Sequence, residues 1–129
     1  MSLITIKIMD TGRVFQVPWT NNMNGQQALE RAYDIDQLEG SDFSFGLQYF
    51  GHKLGYMVFM LDGIYDDVEN KKNFWVLIVN DKVSDQGIDS VILNPDDEMK
   101  FDYQSYATDT QAHFLMIEKY RTYMLMRPA

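Results

Sequence analysis

The stretch that decides the fold is LITIKIMDTGRVFQV, residues 3–17. Isoleucine occupies every second position from Ile4 to Ile8, and this period of two is typical of a half-buried strand. Asp10-Thr11-Gly12 is a turn signal, and residues 14–17 predict a returning strand that Pro18 ends. The stretch therefore predicts a β-hairpin near the start of the chain.

The next stretch, NGQQALERAYDIDQL at residues 24–38, predicts one amphipathic helix. Asn24 can cap its start, and Gln27 stands three residues later, as a capping box requires. Gly40 suits the end of a helix. We expect the helix to bury its apolar face across the sheet of the hairpin, which is the β-grasp arrangement of ubiquitin-like folds. That apolar face consists of Ala28, Leu29, Ala32, Tyr33 and Ile35.

Two later stretches, Tyr56–Leu61 and Phe74–Val79, are continuously apolar. Such runs indicate strands that are covered on both faces. Residues 99–103 alternate as a final strand, after a turn at residues 94–97 that we expect to be type I because Pro95 is its second residue. Since no helix separates these strands, the predicted fold class is α+β, with a β-grasp-like mixed sheet and one helix across it.

The tail of the chain differs in character from the rest. A capping-box pair and the lack of Gly and Pro before Pro128 predict a helix over residues 109–126, although the Tyr, Thr and Met content also allows two short strands. We expect a domain at residues 1–106 and an extension at 107–129 that packs on this domain or lies at an oligomer interface. The residues that could form such an interface are Phe114, Ile117, Tyr120 and Met124.

Composition restricts the function further. The 129 residues include 11 Lys and Arg against 19 Asp and Glu, a net charge of −8, and no cysteine. The length fits one domain, and the charge argues against nucleic acid or an anionic membrane as the main partner. Without cysteine there is no disulfide framework, thiolate metal site or Cys nucleophile. No signal peptide or membrane-spanning run is visible, so the default expectation is a cytoplasmic protein, unless an export signal was removed.

The sequence contains none of the common catalytic or metal-binding motifs. His52 lies in a loop between two glycines, where a solvated side chain is the first interpretation and a metal ligand the alternative. Acidic clusters at residues 62–69, 81–85 and 96–98 lack the spacing of a calcium loop, and turn chemistry and solvation of the connecting segments explain them more simply. We therefore expect no enzyme and no metal site, with catalysis by an unrecognised carboxylate pair as the alternative.

Single positions spread over residues 1–106 resemble the C-terminal β-domain of transcobalamin and intrinsic factor. The family has a helix that starts with small residues and Leu, then a Gly-containing loop, a strand that ends in Gly, and an aromatic strand with Trp. The stretches that carry the resemblance are Asn24–Ala32, Phe43–Phe45, Phe50–Tyr56, Val58–Gly63, Phe74–Asp81, Pro95–Glu98 and Phe101–Tyr103.

The resemblance implies a binding function. Members of the family hold cobalamin between a helical barrel and this β-domain, which contributes its Gly-containing loop and its Trp strand. The sequence departs from the family in lacking the barrel, in carrying His52 and Asp81 at unusual positions, and in its tail. Because a ligand clamped from one side loses buried area, we expect weaker binding than in the two-domain proteins. The implied ligand-binding residues are Phe50, Gly51, His52, Lys53, Trp75 and Leu77.

Two functional hypotheses follow from the sequence. In the first, the protein is a non-catalytic binding domain, with cobalamin or another corrinoid as its possible ligand. In the second, it is a protein-interaction or oligomerisation module without a small-molecule ligand. Trp75 lies inside an apolar run, and its simplest interpretation is a core aromatic rather than a ligand-stacking residue.

Overall fold

The structure is a computed structural model that describes residues 2–52, 54–69, 72–105 and 113–126. Within these ranges it contains eight strands and two helices, of which one helix follows the first hairpin and the other comes after the last strand. In chain order they are β1 (Leu3–Ile8), β2 (Arg13–Pro18), α1 (Gly25–Leu38), β3 (Phe45–Tyr49), β4 (Tyr56–Leu61), β5 (Ile64–Tyr65), β6 (Asn73–Val79), β7 (Lys82–Val83), β8 (Glu98–Ser105) and α2 (His113–Met126).

The strands form two sheets. The larger sheet has the order β2-β1-β8-β6-β7, in which β1 and β8 are parallel and the other pairs are antiparallel. The smaller sheet has the order β3-β4-β5, with a bulge where β3 passes from Gly46 to Leu47. The expected α+β fold with a mixed sheet is confirmed, but the apolar β4 is the centre of the separate smaller sheet and forms no ladder with β6.

Helix α1 lies across the larger sheet as predicted. The Asn24 side chain accepts a hydrogen bond from the Gln27 amide, the Gln27 side chain accepts one from the Asn24 amide, and both capping-box bonds are therefore present. Gly40 ends the helix with a φ of +76°, which favours glycine. The buried residues that we call the main core are Ile4, Ile6, Ile8, Val17, Met23, Ala28, Leu29, Ala32, Phe43, Val58, Leu61, Trp75, Leu77, Ile88, Val91, Leu93, Met99 and Phe101.

Helix α2 covers the face of β6 that points away from the main core. Successive side chains of a strand point to opposite faces, so β6 packs on the main core with one face and on α2 with the other. Trp75 and Leu77 belong to the main core, whereas Phe74 and Val76 pack against Met116 of α2. The tail is thus a helix from His113 to Met126, and residues 109–112 of the predicted helix lie outside the described part. The division of the chain near residue 106 stays a prediction.

The turn at residues 94–97 is present, but its type differs from the prediction. The amide of Asp97 donates to the carbonyl of Asn94, as expected for a turn at residues 94–97. Asp96, however, has a φ of +69°, so the turn follows the type II pattern, which needs a positive φ at its third residue. Aspartate tolerates this conformation better than most residues, and the sequence rule based on Pro95 does not distinguish the two types.

Within the described ranges, no helix has the length and the hydrophobicity needed to cross a bilayer.

Candidate functional site

The Gly-containing loop between β3 and β4 has a buried base and an exposed tip. Phe50 at its base is 4% exposed, and its ring packs edge-to-face against Tyr123 of α2, with ring centroids 5.1 Å apart. Gly51 has a φ of +88° and turns the chain, and His52 at the tip is exposed. Lys53, which the resemblance also implied, lies outside the described residues.

Backbone hydrogen bonds fix the shape of this loop. The amide of Phe50 donates to the carbonyl of Gly55 over 2.8 Å, and the amide of Gly55 donates to the carbonyl of Gly51 over 2.7 Å. The loop also packs closely on Gly87, where a Cβ atom would stand only 2.5 Å from the carbonyl oxygen of Leu54. The two ends of the loop are therefore held together by backbone bonds, which suits a binding surface.

Beside the loop, two tyrosines from neighbouring strands form an exposed aromatic pair. The rings of Tyr49 and Tyr56 have centroids 5.2 Å apart, and the residues are 51% and 42% exposed. The amide of Tyr56 donates to the carboxylate of Asp89, which ties this pair to the loop base. The Tyr56 side chain lies on the face of β4 opposite to Met57, which packs under α2.

The two residues implied on the Trp strand are buried. Trp75 is 2% exposed, its indole Nε1 donates to the carbonyl of Ile64 over 2.8 Å, and its ring lies 4.9 Å from that of Tyr103. Leu77 is 7% exposed and belongs to the same core. In this structure the Trp75 ring is a core aromatic, whereas its backbone faces the gap between β4 and β6.

A buried charge pair fills that gap. The Lys119 Nζ of α2 lies 2.7 Å from Oδ2 of Asp66, and both side chains are 1% exposed. The other carboxylate oxygen of Asp66 accepts a hydrogen bond from the Trp75 amide over 2.7 Å. The Tyr123 hydroxyl donates to Asp66 Oδ2 over 3.0 Å. The carboxylate is thus surrounded by donors, as a buried charge requires.

Lys119 also satisfies the backbone of two strands. Its Nζ donates to the carbonyl oxygens of Val58 on β4 and Trp75 on β6, over 2.9 and 3.2 Å. It lies 5.7 Å from the centroid of the Phe50 ring, which is cation–π distance. The Phe50 ring and the Trp75 carbonyl therefore meet at one ammonium group. Trp75, Leu77 and Lys119 also line a small cavity of about 10 Å³, which is the size of one water molecule.

The environment shifts two acidic groups of this cluster. Burial raises the pKa of Asp66 above its ordinary value, and the Lys119 ammonium opposes that shift. Burial and the nearby Asp66 carboxylate raise the pKa of Tyr123, which keeps its hydroxyl as a hydrogen-bond donor. The polar atoms of this cluster have hydrogen-bond or ionic partners, and these interactions hold α2 against the gap between β4 and β6.

Sequence reasoning missed this cluster in two places. Asp66 belongs to a stretch that the charge pattern predicted to be solvated, and this was wrong for Asp66, which is 7% exposed because its carboxylate turns inward to the Trp75 amide. Lys119 had a recognisable signal. Met116 and Tyr123 lie three residues before and four residues after it, so the lysine occupies the centre of an apolar helix face.

The residues predicted to form an interface on α2 have different environments. Ile117 and Tyr120 are partly exposed, and Met124 is 43% exposed. The side chain of Phe114 lies outside the described part. Over the ranges that the structure describes, no three His, Asp or Glu side chains form a group that could hold a metal ion.

Comparison with protein families assigns the chain. The sequence profile of a domain of unknown function, DUF4430, matches residues 24–105, which is more than half of the chain. The chain belongs to the DUF4430 family. The matched DUF4430 region runs from the cap of α1 to the end of β8 and includes the Gly-containing loop and β6. The first hairpin and α2 lie outside it.

Solved structures show a related fold. The chain is similar to haptocorrin in complex with Cbi, with a TM-score of 0.61 and 13% identity over 80% of this chain. It spans only 25% of that haptocorrin chain. A Ruminococcus gnavus protein described as metal-binding matches 80% of this chain and 94% of its own length, with 16% identity and a TM-score of 0.48. A search of curated proteins gives no match. The expected likeness of this DUF4430 domain to the transcobalamin family is confirmed at the level of the fold.

Proposed function

We propose that this protein is a non-catalytic binding domain whose ligand face is formed by the loop at residues 50–56 and the adjacent part of β6. The observation that carries the proposal is that the loop base and β6 meet at the ammonium group of Lys119, which lies 5.7 Å from the centroid of the Phe50 ring and donates to the Trp75 carbonyl. The ligand that we propose first is a corrinoid such as cobalamin, because haptocorrin, whose fold is similar, was solved with Cbi.

The exposed tip of the loop supports this assignment physically. It carries His52, whose imidazole is a common ligand of transition metals including cobalt. Backbone bonds hold Phe50, Gly51 and Gly55 in place, so these residues lose little conformational entropy when a ligand binds. Binding from one side buries less of the ligand than a two-sided clamp, so we expect affinity in the micromolar range or weaker.

The proposal is tested by titrating the full chain with cyanocobalamin and with cobinamide, and by following visible absorbance and calorimetric heat. We expect saturable binding that His52→Ala weakens about tenfold. Tyr33→Ala is the matched control, since Tyr33 is 37% exposed and lies on α1, and it should leave the affinity unchanged. No saturable signal at millimolar ligand would contradict the corrinoid assignment.

A second candidate function, self-association through α2, rests on a different observation. Leu125 is 87% exposed beside the partly exposed Met124, at the end of α2. If this end forms an interface, Leu125→Glu converts a dimer into a monomer in light scattering at micromolar concentration. Leu38→Glu is the control, because Leu38 is equally exposed, at 88%, but lies at the end of α1. A wild-type monomer at all concentrations contradicts this candidate.

A further inference from the structure

Among the side chains that the structure describes, helix α2 contributes none to the main core, which joins α1 to both sheets. The helix packs on the rest of the domain through two smaller clusters, one with Leu115 and one with Met116. The side chains of the loop and strands that α2 covers therefore form an apolar patch separate from the main core. They are Phe50, Leu54, Met57, Phe74 and Val76.

At the centre of this patch are hydrogen-bond acceptors that no strand satisfies. The carbonyl oxygens of Val58 and Trp75 face the gap between β4 and β6, and Asp66 presents its carboxylate beside them. In this structure one ammonium group, that of Lys119, serves all three acceptors. The surface under α2 is thus an apolar patch with a concentrated set of acceptors at its centre.

Such a surface has a definite chemical preference. It suits an occupant that combines apolar area with hydrogen-bond donors or a cation, since either an apolar group alone or water alone leaves part of it unsatisfied. Lys119 and the apolar residues of α2 fulfil both conditions. A corrin ring with primary amide side chains fulfils them as well, because its ring supplies the apolar area and its amide groups supply the donors.

We infer that α2 is an internal occupant of the ligand face, and that a corrinoid binds this face by displacing α2 and replacing Lys119 as the donor to Val58, Trp75 and Asp66. The inference rests on the proposed function and adds its regulation: the affinity that is observed equals the affinity of the open face reduced by the fraction of molecules in which α2 is undocked. Opening costs less than the contacts suggest, because Lys119 and Asp66 regain their hydration when they separate.

The lack of cysteine in the chain gives a clean test of opening. Leu115→Cys places a single thiol under α2, and Leu29→Cys places one under α1; both leucines are 0% exposed and helical. Under native conditions we expect a thiol reagent to modify the Leu115→Cys variant at least about 100-fold faster, because α2 opens without unfolding the main core. Equal rates in the two variants would overturn the inference, whatever the ligand does.

The ligand arm uses the same variants. Saturating cobinamide should accelerate modification of the Leu115→Cys variant and leave the Leu29→Cys variant unchanged; protection of the Leu115→Cys thiol would overturn the inference. Lys119→Met should tighten cobinamide binding at least about tenfold by favouring the open state. Leu115→Ala provides a second way of weakening α2 docking if Lys119→Met folds poorly.

The two proposals fail in distinguishable ways. If wild type binds cobinamide but neither Lys119→Met nor Leu115→Ala changes the affinity, the ligand binds outside the surface under α2; the inference then fails and the proposed function stands. If none of the three proteins binds cobinamide although thiol modification shows that α2 opens, the corrinoid function fails, and the inference fails with it.

Discussion

Helices α1 and α2 have the same length, 14 residues each, but are attached to the sheet in different ways. Helix α1 has a capping box at its start and packs apolar residues into the main core. Helix α2 packs into two small clusters, places a lysine and a tyrosine against a buried carboxylate, and exposes Leu125. The first helix therefore builds the main core, whereas the second is held by two small apolar clusters and by polar interactions that water or a ligand can replace.

The largest expected effect is on the side of α1. Leu29→Ala leaves a cavity in the main core and should lower the free energy of unfolding by about 2–5 kcal/mol. Denaturation followed by circular dichroism and by Trp fluorescence measures this loss. Leu115→Ala is the matched variant on α2, and its loss should be smaller because it is limited by the free energy of docking α2. An equal or larger loss for Leu115→Ala would remove the distinction between the two helices.

The buried pair under α2 gives the next largest effect. Lys119→Met leaves the Asp66 carboxylate without its counter-charge and should weaken α2 docking by about 3 kcal/mol. Asp66→Leu leaves the ammonium group and the Trp75 amide unpaired and should cost a similar amount. The double variant should cost at least about 1 kcal/mol less than the sum. Amide hydrogen exchange of residues 113–126 measures docking, and strict additivity would mean that the two side chains are not coupled.

On the side of α1, a charge cluster lies at the surface and should matter less. The Arg13 Nε lies 2.7 Å from Asp62 Oδ2, and its guanidinium group lies 5.6 Å from the Phe43 ring. Arg13→Met should cost about 1–2 kcal/mol, since it leaves a partly buried carboxylate unpaired. The exposed pair of Lys7 and Glu98 is the control, and Lys7→Met should cost less than about 1 kcal/mol. Urea unfolding measures both, and equal losses would contradict the ranking.

The smallest effect concerns Tyr103, which packs on Trp75 between the two sheets. Burial first, and then the nearby carboxylates of Asp66, Asp67 and Asp10, raise its pKa from 10.0 to about 12. Because the folded-state pKa is above the unfolded value, its contribution to stability is complete below pH 10 and is lost as the pH rises through about 12.

An absorbance titration of tyrosinate checks this prediction. The chain has eight tyrosines, and Tyr103→Phe should remove one of them from the fraction that ionises late. The urea-unfolded chain is the control, in which the late fraction should disappear. An unchanged late fraction in the Tyr103→Phe variant would contradict the assignment.

Local sequence signals predicted much of the fold. The bounds of α1 and its capping box follow from Asn24 and Gln27, and the apolar runs predicted β4 and β6 closely. The separation of the smaller sheet could not be predicted, because strand pairing depends on contacts between distant residues. The buried position of Asp66 could not be predicted for the same reason: its partner Lys119 is far along the chain.

The candidate site was predictable only in its outline. The resemblance indicated the loop and the Trp strand, and the structure brings the Phe50 ring and the Trp75 carbonyl both into contact with the Lys119 ammonium group. It also shows that α2, which the matched family region does not include, covers this place. Whether these residues contact a ligand stays a prediction.

The most direct test of the central claim is hydrogen exchange of the full chain with and without saturating cobinamide. The account predicts that amides of the loop at residues 50–56 and of β6 exchange more slowly with ligand, while amides of α2 exchange faster. Slower exchange in α2 together with the loop, or a ligand footprint that does not include β6, would contradict the claim that α2 and the ligand compete for the same face.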